Sequence, residues 1–299
     1  MNLKTKHCAI CREKEKLKEL YPRNFNASDL KPELFSARRV TEHFHYQIVR
    51  CLNCGLVFSR EILPEDVLEK LYSESKVNFE EYAEIIAKDY WYFLKPHISL
   101  IKREKALEIG CSSGFFMQKL ADYGFDAVYG CEPSQEAAEK ASAAIRPNIT
   151  IGFFKPAIYP EKSFDLVCSF QTLDHLSDPV AVLRGCFQLL KPGGLAYFVV
   201  HDANSYQAGL LKDKSPIIDI EHIYLFNKNT LAKIFQLAGF EVIRVANLKN
   251  SYPLKYWTKM LSFNIIGCWI DKLVNYFKLG NVSFPLAAGN IYVLAKIER

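Results

Sequence analysis

No stretch of this sequence is apolar for long enough to span a bilayer. The longest run near the C-terminus, Met260 to Ile270, is too short and ends at Asp271-Lys272, which excludes a transmembrane helix there. The opening residues, MNLKTKHCAICREKEKLKEL, lack the apolar core of a secretory signal, so no export is expected and the chain reads as cytosolic. Low-complexity tracts and internal repeats are missing too, which leaves an ordinary globular composition. Neither sign of charge dominates: 38 Lys and Arg stand against 33 Asp and Glu. The net excess of +5 fits a solvated basic surface and does not by itself point to nucleic acid. Cysteine, by contrast, is plentiful. Nine thiols in a chain without an export signal point to reduced cysteines and metal binding, not to a disulfide framework. At 299 residues a full core can be buried, as one large domain or two.

Four of those cysteines form two pairs, Cys8-Ala9-Ile10-Cys11 and Cys51-Leu52-Asn53-Cys54-Gly55. Each C-x-x-C can wrap a tight knuckle around one ion, and four thiolates complete a tetrahedral zinc shell with no open position, so the zinc would be structural. The 39 residues between the pairs exceed the common ribbon spacing. Phe44 to Arg50 alternates like a strand delivering the second knuckle, which supports one site with an inserted loop. His43 and His45 are read as strand or surface residues, since four cysteines suffice. Leu56 to Phe58 reads as another strand, and Pro64-Glu65-Asp66 starts a helix through Tyr72. Phe79 to Leu94 has helical periodicity, and at least two of Tyr82, Tyr90 and Tyr92 are expected in the core.

The stretch KALEIGCSSGFF, Lys105 to Phe116, reads as a strand, a tight glycine turn and a helix N-terminus. Such a turn offers bare backbone N–H groups to a ligand. The spacing Gly110-x-Ser112-x-Gly114 followed by two phenylalanines fits a dinucleotide fingerprint poorly. Downstream the order is α/β: a helix to about Tyr123, a strand Asp126 to Gly130 ending at Cys131-Glu132-Pro133, and a helix Gln135 to Ala144 capped by Ser134. Strands Ile149 to Phe153 and Phe164 to Phe170, a helix Pro179 to Leu190 and a strand Leu195 to Val200 follow. Glu132 lies 24 residues after Glu108, at a strand end, where a carboxylate can accept from both ribose hydroxyls of a nucleoside.

The ordered set LEIGCSSG, GCEPS, FDLVCSFQTLDHLSDP and LLKPGGLAYFVV, over about 106 to 205, resembles the class I S-adenosylmethionine-dependent methyltransferases of the ubiquinone-biosynthesis and sugar C-methyltransferase branch. The resemblance implies an α/β, Rossmann-like, seven-stranded methyltransferase sheet behind a small N-terminal zinc-ribbon-like module, with a helical C-terminal insertion. It implies that Glu108, Gly110, Cys111, Ser112 and Gly114 meet the methionine part of S-adenosylmethionine, Ser112 standing where a glycine is usual. Glu132 and Pro133 would hold the ribose. Phe153 and Phe154 fall where adenine contacts lie, and Ser169, Phe170 and Gln171 would face the sulfonium and the substrate. His175 matches a histidine at the substrate mouth.

Glu221-His222, in EHIYLF, resembles the pair that zinc-containing ketosugar C-methyltransferases carry before the same helix, where histidine is the general base. The candidate bases are therefore His222, then His201 and His175. The expected division is a zinc module over 1–75 and a methyltransferase domain over 76–299, the latter with a helical cover (76–105), a cofactor core (106–205) and a cap (206–299). The last strand is Asn290 to Lys296, whereas the ketosugar enzymes are expected to carry a further C-terminal domain, a departure from a nucleotide-sugar substrate. No N-P-P-Y motif follows Phe170, so the acceptor is expected to be a hydroxyl or carbon of a small molecule or glycan. Two alternatives stay open. One is an RNA methyltransferase whose zinc module binds nucleic acid, although residues 1–75 lack a dense basic-aromatic stripe. The other is a non-catalytic scaffold. The amphipathic stretch Tyr252 to Leu279 is read by default as core packing, and it also suits a lid over substrate or a peripheral membrane contact.

Overall fold

The computed structural model describes residues 3–26, 29–35, 43–75, 82–261 and 265–298. Short strands β1 (Lys4–Thr5) and β2 (Leu17–Tyr21) flank the first cysteine pair. β3 (Ile48–Cys51) and β4 (Val57–Ser59) form a hairpin whose turn is the second pair, and β5 (Glu61–Ile62) pairs antiparallel with β1. Helices α1 (Glu65–Ser73) and α2 (Ala83–Leu94) come next, the latter followed by a 3-10 turn over Lys95–Leu100. The expected first residues of that helix, 79–81, lie outside the described residues. Tyr82 and Tyr90 are buried and Tyr92 is exposed.

The core continues with β6 (Lys105–Ile109), α3 (Phe115–Asp122), β7 (Ala127–Glu132), α4 (Gln135–Glu139), β8 (Ile149–Ile151), β9 (Phe164–Phe170), α5 (Pro179–Leu189) and β10 (Leu190–His201). It ends with α6 (Tyr206–Leu211), β11 (Tyr224–Leu225), α7 (Lys228–Leu237), β12 (Glu241–Asn250), α8 (Leu254–Leu261), α9 (Ile265–Tyr276) and β13 (Leu286–Lys296). A mixed sheet runs in the order β12-β13-β10-β9-β6-β7-β8. The pairs from β10 to β8 are parallel, and β13 runs antiparallel to both neighbours.

Residues along β10 alternate between the two faces. Leu195, Tyr197 and Val199 pack with Tyr90, Phe116 and Leu120, whereas Ala196, Phe198 and Val200 pack with Leu183, Leu231 and Phe235. β9 is buried throughout, as a central strand covered on both faces must be. Helix α4 stops earlier than the helix-forming run to Ala144 suggests, because the Arg146 guanidinium donates to the Glu139 and Ala141 carbonyls and closes it. β8 ends two residues short of Phe153, with Gly152 at φ +129° turning the chain off the sheet. β10 begins five residues before Leu195, pairing Leu190 with Phe164 across a bulge.

The cysteine-bearing segment does not stand apart. Its sheet runs β11-β4-β3-β2, so β11, from the segment after the fifth core strand, supplies an edge. Tyr46, Leu56 and Phe58 share one apolar cluster with Phe198 and Leu231. At the far end of the core, Asp165 accepts from the Glu104 and Lys105 N–H groups at 3.1 and 2.9 Å and pairs with Lys191 at 3.0 Å, which sets β6 in register with β9. Replacing Asp165 by Ala is expected to lower unfolding free energy by about 2–3 kcal/mol, since buried hydrogen bonds to a charge are lost. A denaturant titration with unchanged slope checks it.

Candidate active site

The C-terminal ends of the parallel strands open into a cavity of about 660 Å³. One side of it is the glycine turn. The Gly110 N–H donates to the Cys131 carbonyl at 2.9 Å, and Gly110 sits at φ +71°. A Cβ there would come within 2.4 Å of Thr172 Oγ1, so only glycine lets these strand ends meet. Ser112 adopts φ +49°, the left-handed region, at the place of the usual glycine. Its N–H donates to Glu132 Oε2 at 2.9 Å, while the Ser134 N–H donates to Oε1 at 2.9 Å. Burial raises the pKa of Glu132, and these two bonds oppose that rise.

Glu108 is fully buried one turn below. It accepts from the Met117 N–H at the start of α3, and burial raises its pKa well above the carboxylate range. Its Oε2 has no hydrogen-bond partner within the chain. Gln171, again at positive φ (+51°), donates to Asn290 Oδ1 at 3.1 Å, and Asn290 donates to Asn250 Oδ1 at 2.7 Å. Gln171 Oε1 and Asn250 Nδ2 are buried and unpartnered. Buried polar atoms are normally paired, so this concentration around one cavity marks a place where a polar ligand completes the bonds. An adenosyl amino acid fits: the glycine turn for its amino-acid end, a strand-end carboxylate for its ribose, and Phe153 and Phe154 on the wall for a base.

Opposite stands a cluster of histidines and carboxylates. His222 Nδ1 lies 2.6 Å from Asp219 Oδ1, and its Nε2 lies 3.2 Å from His201 Nδ1. His201 Nδ1 is 3.1 Å from Asp174 Oδ2. His175 Nδ1 meets the Tyr72 hydroxyl at 3.3 Å, while its Nε2 and Asp174 Oδ1, 3.9 Å apart, are buried and lack hydrogen-bond partners. Burial disfavours charge on His222, yet the surrounding Asp219, Asp174 and Glu221 carboxylates outweigh it and raise its pKa to about 9. Burial drives His175 the other way, to about 4. The same histidines hold Asp174 well below the carboxylate range against its own burial. Ligand atoms of Asp174, His175 and His222 lie within 4.8 Å of one another, a spacing that could hold a metal ion.

The expected residues therefore separate. Glu108, Gly110, Ser112, Glu132, Pro133, Phe153, Phe154, Phe170, Gln171, His175, His201, Glu221 and His222 line this one cavity. Cys111 points into the core beside Gly130 and Met117, and Ser169 turns its hydroxyl to the Ile109 carbonyl at 2.9 Å. Neither of these two, nor Gly114, is among the lining residues. Sequence reading passed over Tyr72, Asp174, Asp219, Asn250 and Asn290. Asp174 and Asp219 were legible only as acids one and three residues from a chosen histidine.

Away from the cavity, the Sγ atoms of Cys8, Cys11, Cys51 and Cys54 lie within 4.8 Å of one another. Cys8 and Cys54 are 3.3 Å apart and Cys11 and Cys51 3.5 Å. Each knuckle ends on a left-handed residue, Arg12 at φ +59° and Gly55 at φ +83°. N–H groups of Cys11, Glu13 and Leu56 point at the sulfurs of Cys8, Cys11 and Cys54, as thiolates require. His45 is turned away, its Nδ1 2.8 Å from the Tyr46 carbonyl.

A family model described as a methyltransferase domain matches residues 78–245, more than half of the chain. The chain belongs to this family. It carries a methyltransferase domain of the class I, S-adenosylmethionine-dependent kind. Among curated relatives, a tRNA U34 carboxymethyltransferase of Hydrogenovibrio crunogenus is 25% identical over 66% of this chain and 63% of its own length. A ubiquinone biosynthesis O-methyltransferase of Methylococcus capsulatus is 32% identical over 36% of this chain and 46% of its own length. The chain thus spans less than two thirds of the length of either. A crystal structure of a Bacillus halodurans protein described as a methyltransferase aligns with a TM-score of 0.50 at 14% identity, over 71% of this chain and all of that one, a likeness of fold alone.

The charged state of His222 makes a stability prediction. Because its folded pKa lies above the ordinary 6.5, its contribution is complete below about pH 6.5 and is lost as pH rises through about 9. The difference in thermal stability between the natural chain and His222→Gln is expected to shrink across that window, by about 3 kcal/mol at most. Thermal melts between pH 6 and pH 10, roughly the span of the two values, read it directly.

Proposed function

We propose that this methyltransferase acts on a hydroxyl oxygen or an activated carbon of a small molecule or glycan. The observation that carries the reading is the meeting, in one cavity, of the glycine turn with Glu132 and of the histidine–carboxylate cluster. S-adenosylmethionine, when bound, supplies a methyl group on a good thioether leaving group, so the chain has mainly to align the acceptor and exclude water. Backbone at Gly110 and Ser112, the residues of the turn that line the cavity, receives the methionine end. Glu132 keeps lone pairs for the ribose after accepting from Ser112 and Ser134.

The acceptor proton passes to His175. Its imidazole is neutral, the Tyr72 hydroxyl orients Nδ1, and Nε2 is a buried nitrogen without a hydrogen-bond partner on a side chain that lines the cavity. His222 was the first expectation from sequence, but both of its ring nitrogens are engaged, by Asp219 and His201, so it serves better as a charged positioning group. A second reading rests on the orphaned Asp174 Oδ1 and His175 Nε2: a divalent cation held by Asp174, His175 and His222 would lower the acceptor's pKa in place of a base. The four cysteines of residues 1–75 are read as a closed structural zinc site.

Calorimetric titration with S-adenosylmethionine is expected to show binding that Glu132→Ala weakens at least about tenfold, with no binding of NAD. His175→Gln is expected to keep cofactor affinity while lowering kcat by about 10²–10⁴. Absence of cofactor binding overturns the reading. Metal analysis is expected to give one zinc per chain, lost with Cys54→Ser together with thermal stability. A second metal equivalent, with turnover that chelation abolishes while the fold survives, decides for the cation over the base.

A further inference from the structure

Helix α9 is amphipathic in an unusual sense. Its inner side packs on α8: Val274 is buried, and the Asp271 carboxylate accepts from the Thr258 hydroxyl at 2.5 Å and the Asn275 amide at 3.1 Å. Its outer side carries Trp269, Leu273, Tyr276 and, just past the last turn, Phe277. These are 64, 54, 80 and 62% exposed, at the i, i+4, i+7, i+8 spacing of a single stripe. The segment that follows adds Leu279, Val282 and Phe284, all exposed. Large aromatic side chains grouped in this way are costly in water and mark a surface that meets something apolar.

We propose that this face docks onto an anionic phospholipid bilayer. Charge decides for this occupant. Between 265 and 286 the only acid is Asp271, and it is turned inward, while Lys272 and Lys278 flank the stripe. The Lys272 ammonium sits 5.7 Å from the Trp269 ring centre. A Trp and a Tyr beside lysines on an apolar helix face is the pattern of an interfacial helix, whose rings settle at headgroup depth while the lysines meet lipid phosphates. A second copy placed face to face would oppose lysine to lysine. Among the described residues no helix is long and apolar enough to cross a membrane, so the contact is peripheral.

The face is also fixed to the cavity. The Leu254 and Lys255 N–H groups donate to the Val282 and Gly280 carbonyls at 2.8 and 2.9 Å, and Tyr252, Tyr256 and Trp257, at the start of the same hairpin, line the cavity wall. Docking would therefore bring the hairpin that forms this part of the cavity wall to the lipid surface. The family match ends at residue 245, before this hairpin begins.

The test is cosedimentation of the full chain with phosphatidylcholine vesicles containing about one third phosphatidylglycerol, without cofactor or acceptor, so that it stands independently of the methyl-transfer reading. The natural chain is expected to pellet with these vesicles, and far less with phosphatidylcholine alone or at high salt. Lys272→Glu with Lys278→Glu, two solvent-facing changes, is expected to weaken partition about thirtyfold with an unchanged thermal melt. Trp269→Ser with Phe277→Ser is expected to abolish it. A natural chain that stays in the supernatant overturns the proposal. So does a natural chain that elutes as a dimer which the serine variant converts to monomer, because the face then belongs to a second copy.

Discussion

The bond that the site depends on is the one between the Glu132 carboxylate and the backbone of two different turns. One oxygen accepts from Ser112 in the glycine turn and the other from Ser134 at the start of α4. A buried carboxylate without such partners would be costly, and an N–H in the glycine turn and one at the start of α4 would otherwise lack acceptors. Joining them locks the end of β7 to the loop after β6. That loop can then hold Ser112 in a left-handed conformation that an L-residue adopts at a cost of roughly 1–2 kcal/mol. Gln171, on the facing strand end, is held in the same backbone region. Two strained residues and several orphaned polar atoms around one cavity are what a fold accepts where a ligand supplies the missing bonds.

The cysteine segment takes part in this geometry at a distance. β4 leaves the second knuckle and pairs with β11, which begins two residues after His222, and the Ser59 N–H donates to the Ile223 carbonyl at 2.8 Å. The cysteine-bearing segment is thus joined by backbone hydrogen bonds to the strand that follows the Glu221-His222 loop. The loop is otherwise tied mainly through Asp219, which accepts from the Glu221 and His222 N–H groups at 3.0 and 3.1 Å as well as from the ring. A structural metal site far from the chemistry would in this way act on the position of a charged group inside it.

The opposite pKa shifts of His175 and His222, whose ring centres are 4.7 Å apart, follow from what each is bonded to. His222 is flanked by carboxylates and holds its proton. His175 has a tyrosine hydroxyl at Nδ1 and its nearest carboxylate oxygen, of Asp174, at 3.9 Å, with His222 opposing a second charge, so burial wins. Like titratable groups pushed apart by their surroundings are the usual basis for dividing acid, base and positioning roles.

Much of this was legible in the linear sequence. Lys105 to Gly114 and Phe164 to Phe170 specify strand, turn and buried strand through local apolar runs and glycines, and the two C-x-x-C pairs declare a knuckle each. These are properties of contiguous residues, decided by backbone conformational preference and short-range hydrogen bonding. The length of α4, the departure of the chain from β8, the partner of β4 and the inward turn of Ser169 and Cys111 were not legible, because they depend on groups far along the chain. The same holds for the cluster. Asp174 and Asp219 come from two loops and His201 from the end of β10, which only the sheet brings to one edge, and the proton positions that separate His175 from His222 are set by neighbours across space. Sequence by itself determined the family, the glycine turn and the cysteine pairs. Which histidine keeps a free nitrogen was decided by tertiary structure alone, since that depends on which buried carboxylates the fold places beside it.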